Sequence, residues 1–470
     1  MTTLAKADLK EELKSIVGPE NFSDDIVDRL TYSRSSSVEE AGTPLCVVRP
    51  GSTQEISQIL KTANAHHNPV YVWGRGTIFV ASGVQDGCIA IDTTRMDSIS
   101  KVDEDTMSVT VEAGAIWGAL NTELRKKNWE LTIPGPGSLV SCTVGGSIAA
   151  STVPHGLTGE GTTGENVLNL EVVLPTGDVF ETGSAANPQG TPFERYCNGP
   201  DVAGLFIGSC GTLGIITKAT LRIQRVPEAE EFFCYGFQEL KDAFKTSYEL
   251  LEKRCTRFTV LCQGDLPVKA AALMHIITTG AKDEVEVKSK KIKSICQTGG
   301  GKELDNTGTK NYWKTHNVMY SWLRWKDPKT YYARKGIPYF CPEVFGYLSM
   351  PKLVEISEAF WKYWNEHEVQ LKKVNALFKG FDVYFSKNGG YLWIDTLYSY
   401  ADKEAFEYGF KVRRDLYELL LKHGGSPATV GGGEMAKYVT SHMPRYHNFL
   451  KTLKKAVDPN RILNPGVLDL

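Results

Sequence analysis

Glycine gathers at the ends of apolar strands in the first half of the chain, and no other feature restricts its folding so strongly. Val70-Tyr71-Val72-Trp73 runs straight into Gly74-Arg75-Gly76-Thr77, residues 134–164 are dense in glycine and small polar residues, and Gly208, Gly211 and Gly214 precede Ile215-Ile216-Thr217. A residue without a Cβ lets the backbone approach a ligand closely, so that N–H groups can hold a pyrophosphate without many cationic side chains. One such loop is compatible with an ordinary turn. Several within one stretch point to a ligand site.

Around these loops the pattern is that of a β-α-β unit. Leu45-Cys46-Val47-Val48 reads as a strand, Ser52-Thr53-Gln54-Glu55 as a capping box opening a helix with Ile56, Ile59, Leu60 and Ala63 on one face, and Val70 to Trp73 as the next strand. Further strands are expected at Cys88 to Asp92, Met107 to Glu112 and Leu170 to Leu174, with a helix near Ile116 to Lys127. Pro175-Thr176-Gly177-Asp178 reads as a hairpin turn into Val179-Phe180-Glu181. Beyond Glu228 the chain turns to long amphipathic, aromatic-rich segments, Gln297 to Lys310 reads as an exposed loop, and the C-terminal region reads as helical. The expected division is a helical lead-in over 1–35, a ligand-binding domain over 36–227, a substrate or cap domain over 228–440, and a helix and tail over 441–470 that return to the ligand-binding domain.

Composition removes several classes of function. With 53 Lys and Arg against 55 Asp and Glu, the net charge of −2 leaves no basic field for a polyanion, so nucleic acid is not an expected partner. No apolar run is long enough to span a bilayer, and Met1 to Asp8 lacks the core of a signal peptide; a cytoplasmic location is expected. The ten cysteines are scattered, with no Cys-x-x-Cys pair and no four-ligand cluster, so no metal is expected and the thiols read as reduced and mostly buried.

Gly159-Glu160-Gly161-Thr162-Thr163-Gly164 satisfies G-x-G-x-x-G, but Pro154-His155-Gly156 precedes it and the strand-like Val167 to Leu174 follows. A dinucleotide fingerprint needs a strand before it and a helix opening within it, so this context disfavours a nicotinamide site. No P-loop is present either.

Pro50-Gly51-Ser52 at a helix start, the strand into Gly74-Arg75-Gly76-Thr77, Thr143-Val144-Gly145-Gly146, the Gly208 to Thr217 segment and the C-terminal Ile462-Leu463-Asn464-Pro465-Gly466 together resemble the FAD-linked oxidase superfamily. This is the group of vanillyl alcohol oxidase and p-cresol methylhydroxylase, which also holds the D-lactate and glycolate dehydrogenases. The resemblance implies an α+β chain: a two-subdomain FAD-binding fold of the p-cresol methylhydroxylase type, followed by an α+β substrate (cap) domain. It implies FAD between the subdomains, with Gly74, Arg75, Gly76, Thr77 and Ile78 around the phosphates and Ser82 and Gly83 closing the turn. Pro136, Gly137, Ser138, Thr143, Gly145 and Gly146 would follow the ribityl chain and flavin. Gly156 and Gly161 lie in the next loop, Gly214 and Ile216 would touch FAD through their backbone, and Asn464 would reach back to the flavin region. Arg75 stands where a small residue is usual, and either pairs with a phosphate or faces solvent. No histidine falls within residues 74–83, a common place for covalent attachment, so non-covalent FAD is expected.

The substrate end departs from both familiar branches. The stretches Ser386 to Trp393 and Gly431 to Met435 lack the histidines of the D-lactate dehydrogenase branch, and Pro427-Ala428 stands where the phenol-oxidising branch carries a Tyr-Arg pair. Candidate catalytic groups are His155 as a base or flavin donor, Arg334 for a carboxylate, Tyr391 and Asp395 sharing one strand face with Trp393, and Glu434 after three glycines. Each has a plainer alternative as a turn, surface, edge-strand or helix-start residue. The expected reaction is dehydrogenation of a small alcohol or hydroxy acid by hydride transfer to FAD. The alternatives are a flavin-carrying subunit of an electron-transfer complex and a phenolic-substrate oxidase. The expected partners are a small-molecule substrate and an electron acceptor (oxygen, an electron-transfer protein or a quinone), with a homodimer or a larger complex both open.

Overall fold

Leu9, Leu13 and Val17 form one buried face of the first helix, α1 (Thr3–Val17), and pack on the helix Thr53–Ala65 through Ile56, Ile59, Leu60 and Ala63. The computed structural model describes residues 3–33, 42–77, 84–264, 266–315, 339–340, 344–399 and 402–470. After α1, a short strand (Phe22–Ser23) and a short helix (Ile26–Tyr32) lead to β1 (Cys46–Val48), α2 (Thr53–Ala65), β2 (Val70–Trp73) and β3 (Ile89–Asp92). In the first sheet β3 lies between β1 and β2 and pairs with both in parallel, with Cys46 opposite Ile89 and Val70 opposite Ile89. At the start of α2, Ser52 Oγ accepts from the Glu55 N–H at 3.2 Å, while Glu55 reaches back to the Gly51 N–H at 2.8 Å instead of that of Ser52.

A second sheet comprises β4 (Ser108–Glu112), then, beyond α3 (Trp117–Arg125), β5 (Trp129–Leu131), and, beyond α4 (Val144–Ala149), β6 (Val167–Val173), β7 (Val179–Glu181) and β8 (Ile215–Arg225). Its order is β7-β6-β8-β4, all antiparallel, with β5 on the far end of β8. Glu171, nearly buried, ties the two sheets together: it accepts from Thr53 Oγ1 of α2 at 2.6 Å, from Thr217 Oγ1 at 2.7 Å and from Lys218 Nζ at 2.9 Å. These hydrogen bonds lower its pKa against the opposing effect of burial.

At Arg225 the second sheet ends and a third begins. Its long strands are β9 (Ala229–Phe237), β10 (Phe258–Gly264), β11 (Ala272–Gly280), β12 (Val344–Ser349), β13 (Leu377–Ser386) and β14 (Gly389–Ser399), in the order β9-β11-β10-β13-β14-β12. Alternation of side chains sends Phe233, Tyr235, Phe237, Phe381, Val383 and Leu392 into a core under the helices Leu240–Glu252, Lys282–Thr298, Met350–Glu366 and Lys403–Lys422. The opposite face carries Phe258, Cys262, Tyr384, Tyr391 and Phe345 toward Leu157 of the N-terminal half. The segment from Gln297 to Lys310 is less loop-like than its sequence suggests. The helix continues to Thr298 because Ile292, Ile295 and Cys296 extend its buried face, Lys302–Glu303 adds an edge strand, and a further helix starts at Thr307. Among the described residues no helix is long and apolar enough to cross a membrane.

The third sheet is pinned to the N-terminal half by buried polar contacts. Arg257, 6% exposed, donates to Glu130 at 2.9 Å and to the Thr132 carbonyl at 2.9 Å. Arg125 donates to the other oxygen of Glu130, and Gln224 to the same oxygen as Arg257. Thr158 Oγ1 donates to the Phe385 carbonyl at 2.8 Å and accepts from the Thr259 N–H at 2.9 Å.

Candidate active site

One cleft opens between the first two sheets and is closed at one side by the chain end. Counting the part open to solvent, its empty space is about 1080 Å³. Gly74, Arg75, Gly76 and Thr77 form one wall, Ser138, Thr143, Gly145 and Gly146 another, and Gly214, Ile216 and Asn464 a third. Eleven of the residues expected from sequence are thus brought together, and no carboxylate joins them among the described residues.

The loop of residues 74–77 is built from β2 outward. Trp73 stands edge-on to both Tyr32 (5.4 Å between centroids) and Tyr71 (6.1 Å), and Tyr32 is fixed by its hydroxyl, which donates to Asp92 at 2.6 Å. Burial and the neighbouring Asp92 push the Tyr32 phenol up to about 12, so it stays a neutral donor. The chain then bends over the Trp73 ring at Gly76, φ +60, where a Cβ would lie 2.6 Å from Trp73 Cη2. The amides of Gly74, Arg75, Gly76 and Thr77 find no acceptor among the described residues. Four consecutive unpaired N–H groups around a left-handed glycine, facing a cleft, make a concave donor array for an anion. Arg75 is exposed and has no carboxylate partner among the described residues.

Thr143-Val144-Gly145-Gly146, read from sequence as a loop, is instead the cap and first turn of α4. Thr143 Oγ1 accepts from the Gly146 N–H at 3.2 Å, and the Val144 and Gly145 amides donate to the carbonyls of Ala115 and Ala113, each at 2.8 Å. Those amides are therefore used up within the protein, and glycine serves here for close packing. A Cβ at Gly145 would lie 2.5 Å from that of Ala113, and one at Gly74 2.5 Å from Thr143 Oγ1.

Other expected residues fall elsewhere. Pro136, buried, and Gly137, half-buried, lie just ahead of Ser138 and do not line the cleft. Gly156 (φ +97) and Gly161 (φ +87) shape the neighbouring loop, the latter against the Glu165 carboxylate, and do not line it either. Ile78, Ser82, Gly83 and Arg334 lie outside the described residues. His155 belongs to a two-residue strand whose backbone pairs with Gly135. Glu434 faces solvent, its side chain 90% exposed, and pairs with Lys437 at 2.8 Å.

Tyr391 and Trp393 do share a face, and the structure extends it in a way the sequence reading missed. Register places Cys234, His275, Val260, Tyr384, Tyr391 and Tyr347 in one row across six strands, with Asp382, Trp393 and Phe345 in the next row; the backbone of Asp395 lies opposite Gly380. Tyr347 meets Tyr391 edge-on at 5.1 Å, and Tyr384 stacks with Trp393 at 6.1 Å. Val153 and Ala428 pack against this cluster, next to Thr152 of the cleft and to Thr429, whose hydroxyl donates to the Ala150 carbonyl at 3.0 Å. Burial raises the phenols of Tyr347 and Tyr384, so both remain neutral donors. The signal in the sequence was the alternation Phe381-Asp382-Val383-Tyr384-Phe385, the same two-residue period that marks β14.

Comparison with known proteins agrees with this geometry. A family model described as an FAD binding domain matches residues 44–183, and one described as the C-terminal domain of FAD linked oxidases matches residues 390–468. The glycolate oxidase subunit GlcD of Bacillus subtilis is 26% identical over 98% of this chain and 96% of its own length. A mitochondrial D-lactate dehydrogenase (cytochrome) 1 of Saccharomyces cerevisiae is 32% identical over 50% of this chain and 40% of its own length. The chain belongs to the FAD-linked oxidases. It is an FAD-dependent oxidoreductase. A solved structure of p-cresol methylhydroxylase with substrate bound superposes with a TM-score of 0.81 at 16% identity, covering 100% of this chain and 98% of that one. One of alkyldihydroxyacetonephosphate synthase gives 0.76 at 18%, covering 97% and 85%; both likenesses concern the fold.

The cleft fits FAD on its own terms. The unpaired amides of residues 74–77 suit a pyrophosphate, and the closely packed glycines keep side chains out of a cleft that Thr152, Ile216 and Gly431 also line. Bound there, FAD supplies a two-electron acceptor for a C–H bond beside a hydroxyl or on a benzylic carbon. The amides of residues 74–77 would hold its phosphates.

Proposed function

We propose that this oxidoreductase dehydrogenates a small alcohol or 2-hydroxy acid, with FAD held non-covalently. The observation that carries the reading is the run of unpaired amides at Gly74 to Thr77, opening into a cleft that also includes Thr152, whose neighbour Val153 packs against the aromatic cluster of Tyr384 and Tyr391. The names of the relatives, a glycolate oxidase subunit and D-lactate dehydrogenases, favour a hydroxy acid. Non-covalent attachment is supported by the two cysteines that line the cleft: desolvation raises both thiols, that of Cys210 to about 12, and a neutral thiol is a poor nucleophile. The nine described cysteines are all free, in keeping with a cytoplasmic location. A relative named as a subunit supports transfer of the electrons to a partner protein, with oxygen or a quinone as the other acceptors.

A second reading, oxidation of a benzylic or phenolic carbon, is favoured by the aromatic rows at Tyr347, Tyr384, Tyr391 and Trp393. An anaerobic spectrum separates the two. Glycolate or D-lactate should bleach the flavin bands under the first reading, and benzyl alcohol or p-cresol under the second. Flavin that stays oxidised with every one of these removes both.

A further inference from the structure

The chain end does more than cover the cleft. Residues 462–464 lie along β2 as an added parallel segment: the Val70 N–H donates to the Ile462 carbonyl at 2.7 Å, and the Asn464 N–H to the Val70 carbonyl at 2.8 Å. Asn464, 3% exposed, then spans two loops with its side chain. Its Oδ1 accepts from the Val72 N–H at 2.9 Å, and its Nδ2 donates to the Cys210 carbonyl at 2.7 Å. Val72 lies two residues before the phosphate loop, and Cys210 precedes Gly211 on the opposite wall. Asn464 sits at φ +44, a left-handed backbone that asparagine tolerates better than most residues.

A buried ion pair seats this segment. Lys454 and Asp458, with side chains 3% and 1% exposed, meet at 2.6 Å. Lys454 also donates to the carbonyls of Thr212 at 2.7 Å and Leu463 at 2.6 Å, while Asp458 accepts from the Ile462 and Leu463 amides at 3.0 and 2.9 Å. The pair therefore anchors both the strand that carries Asn464 and the loop that Asn464 grips.

We propose that Asn464 is a positioning residue: a two-sided amide that fixes the separation of the two walls of the FAD cleft, so that it sets cofactor affinity through Val72 and Cys210 with both ends of its own amide engaged by protein. A ligand that bridges two walls binds in proportion to how well their spacing is held before it arrives. The inference rests on the FAD assignment and is independent of the substrate.

The test is titration of the apoprotein with FAD. Asn464→Gly keeps the left-handed backbone and deletes both side-chain bonds. Asn464→Asp keeps the acceptor for Val72 and turns the donor toward Cys210 into a repelling oxygen, so it decides the matter should the glycine variant not fold. Gln85→Ala, which removes only a bond from Gln85 Nε2 to the Pro465 carbonyl, is the control for a merely loosened tail. The expected result is a dissociation constant at least tenfold higher for both Asn464 variants and within twofold of wild type for Gln85→Ala. The proposal is overturned if the Asn464 variants bind FAD within twofold of wild type, or if apo and FAD-loaded melting temperatures fall equally, which is the signature of a purely structural residue. Wild-type apoprotein that takes up no FAD removes the cofactor assignment itself, and is recognised because the unaltered chain fails.

Discussion

Replacing Gly76 by alanine adds one methyl group at the bend of the phosphate loop, and the structure sets what that methyl meets. The backbone sits at φ +60, where a side chain costs about 1–2 kcal/mol. The new Cβ lies 2.6 Å from Trp73 Cη2 and 3.0 Å from Cε2, and overpacking of this kind costs about 1–3 kcal/mol. Trp73 cannot simply turn aside, because Tyr32 and Tyr71 abut it and Tyr32 is fastened to Asp92. The loop must therefore shift, taking the four unpaired amides out of register. A loss of about 2 kcal/mol in FAD binding is roughly a thirtyfold weaker dissociation constant, read by quenching of FAD fluorescence as apoprotein is added. Trimming the ring in Gly76→Ala/Trp73→Leu should recover part of that loss. Binding by Gly76→Ala within threefold of wild type would refute the loop's role.

Three further outcomes follow from the packing. Arg257→Met leaves Glu130 buried with Arg125 as its remaining cationic partner, and should cost about 3 kcal/mol by urea denaturation, with part regained in the double variant that also replaces Glu130 by Gln. In the apoprotein, His275 is buried and neutral, its pKa depressed to about 3 by desolvation. The unfolded chain takes up a proton below about 6.5 that the folded chain refuses, so stability falls as pH drops through this window. Between pH 7 and pH 5 the group should account for about 2 kcal/mol, a difference that His275→Gln should remove. Tyr391→Leu deletes a ring in contact with Phe345 and Tyr347 and should leave FAD content unchanged; kcat/KM for an arene-bearing alcohol should fall about two- to tenfold relative to D-lactate. An equal fall for both would show that Tyr391 does not select the substrate.

What the sequence carried was local. The strand-helix-strand unit from Cys46 to Trp73, the Ser52 cap and the hairpin at Thr176-Gly177 each follow from residues within one or two turns of one another, and all appear in the fold. The glycine loops likewise marked the cleft wall at residues 74–77. The α4 start was missed because its amides are satisfied by Ala113 and Ala115, partners in a strand end some thirty residues upstream that no local pattern reveals. The tyrosine row depends on the register of six strands spread from Cys234 to Tyr391, and the Lys454–Asp458 anchor on burial that charge alone argues against. Glu434 shows the reverse error, since glycines before an acid resembled a ligand loop and proved to be a solvent-facing helix start.

Amide hydrogen exchange with and without FAD addresses the grip of the main chain most directly. The N–H groups of Gly74, Arg75, Gly76 and Thr77 have no acceptor among the described residues of the protein, so they should exchange rapidly in the apoprotein and slow by at least tenfold once FAD is bound. Exchange in that segment that is unchanged by saturating FAD would contradict the account, because the cofactor would then be held by other groups.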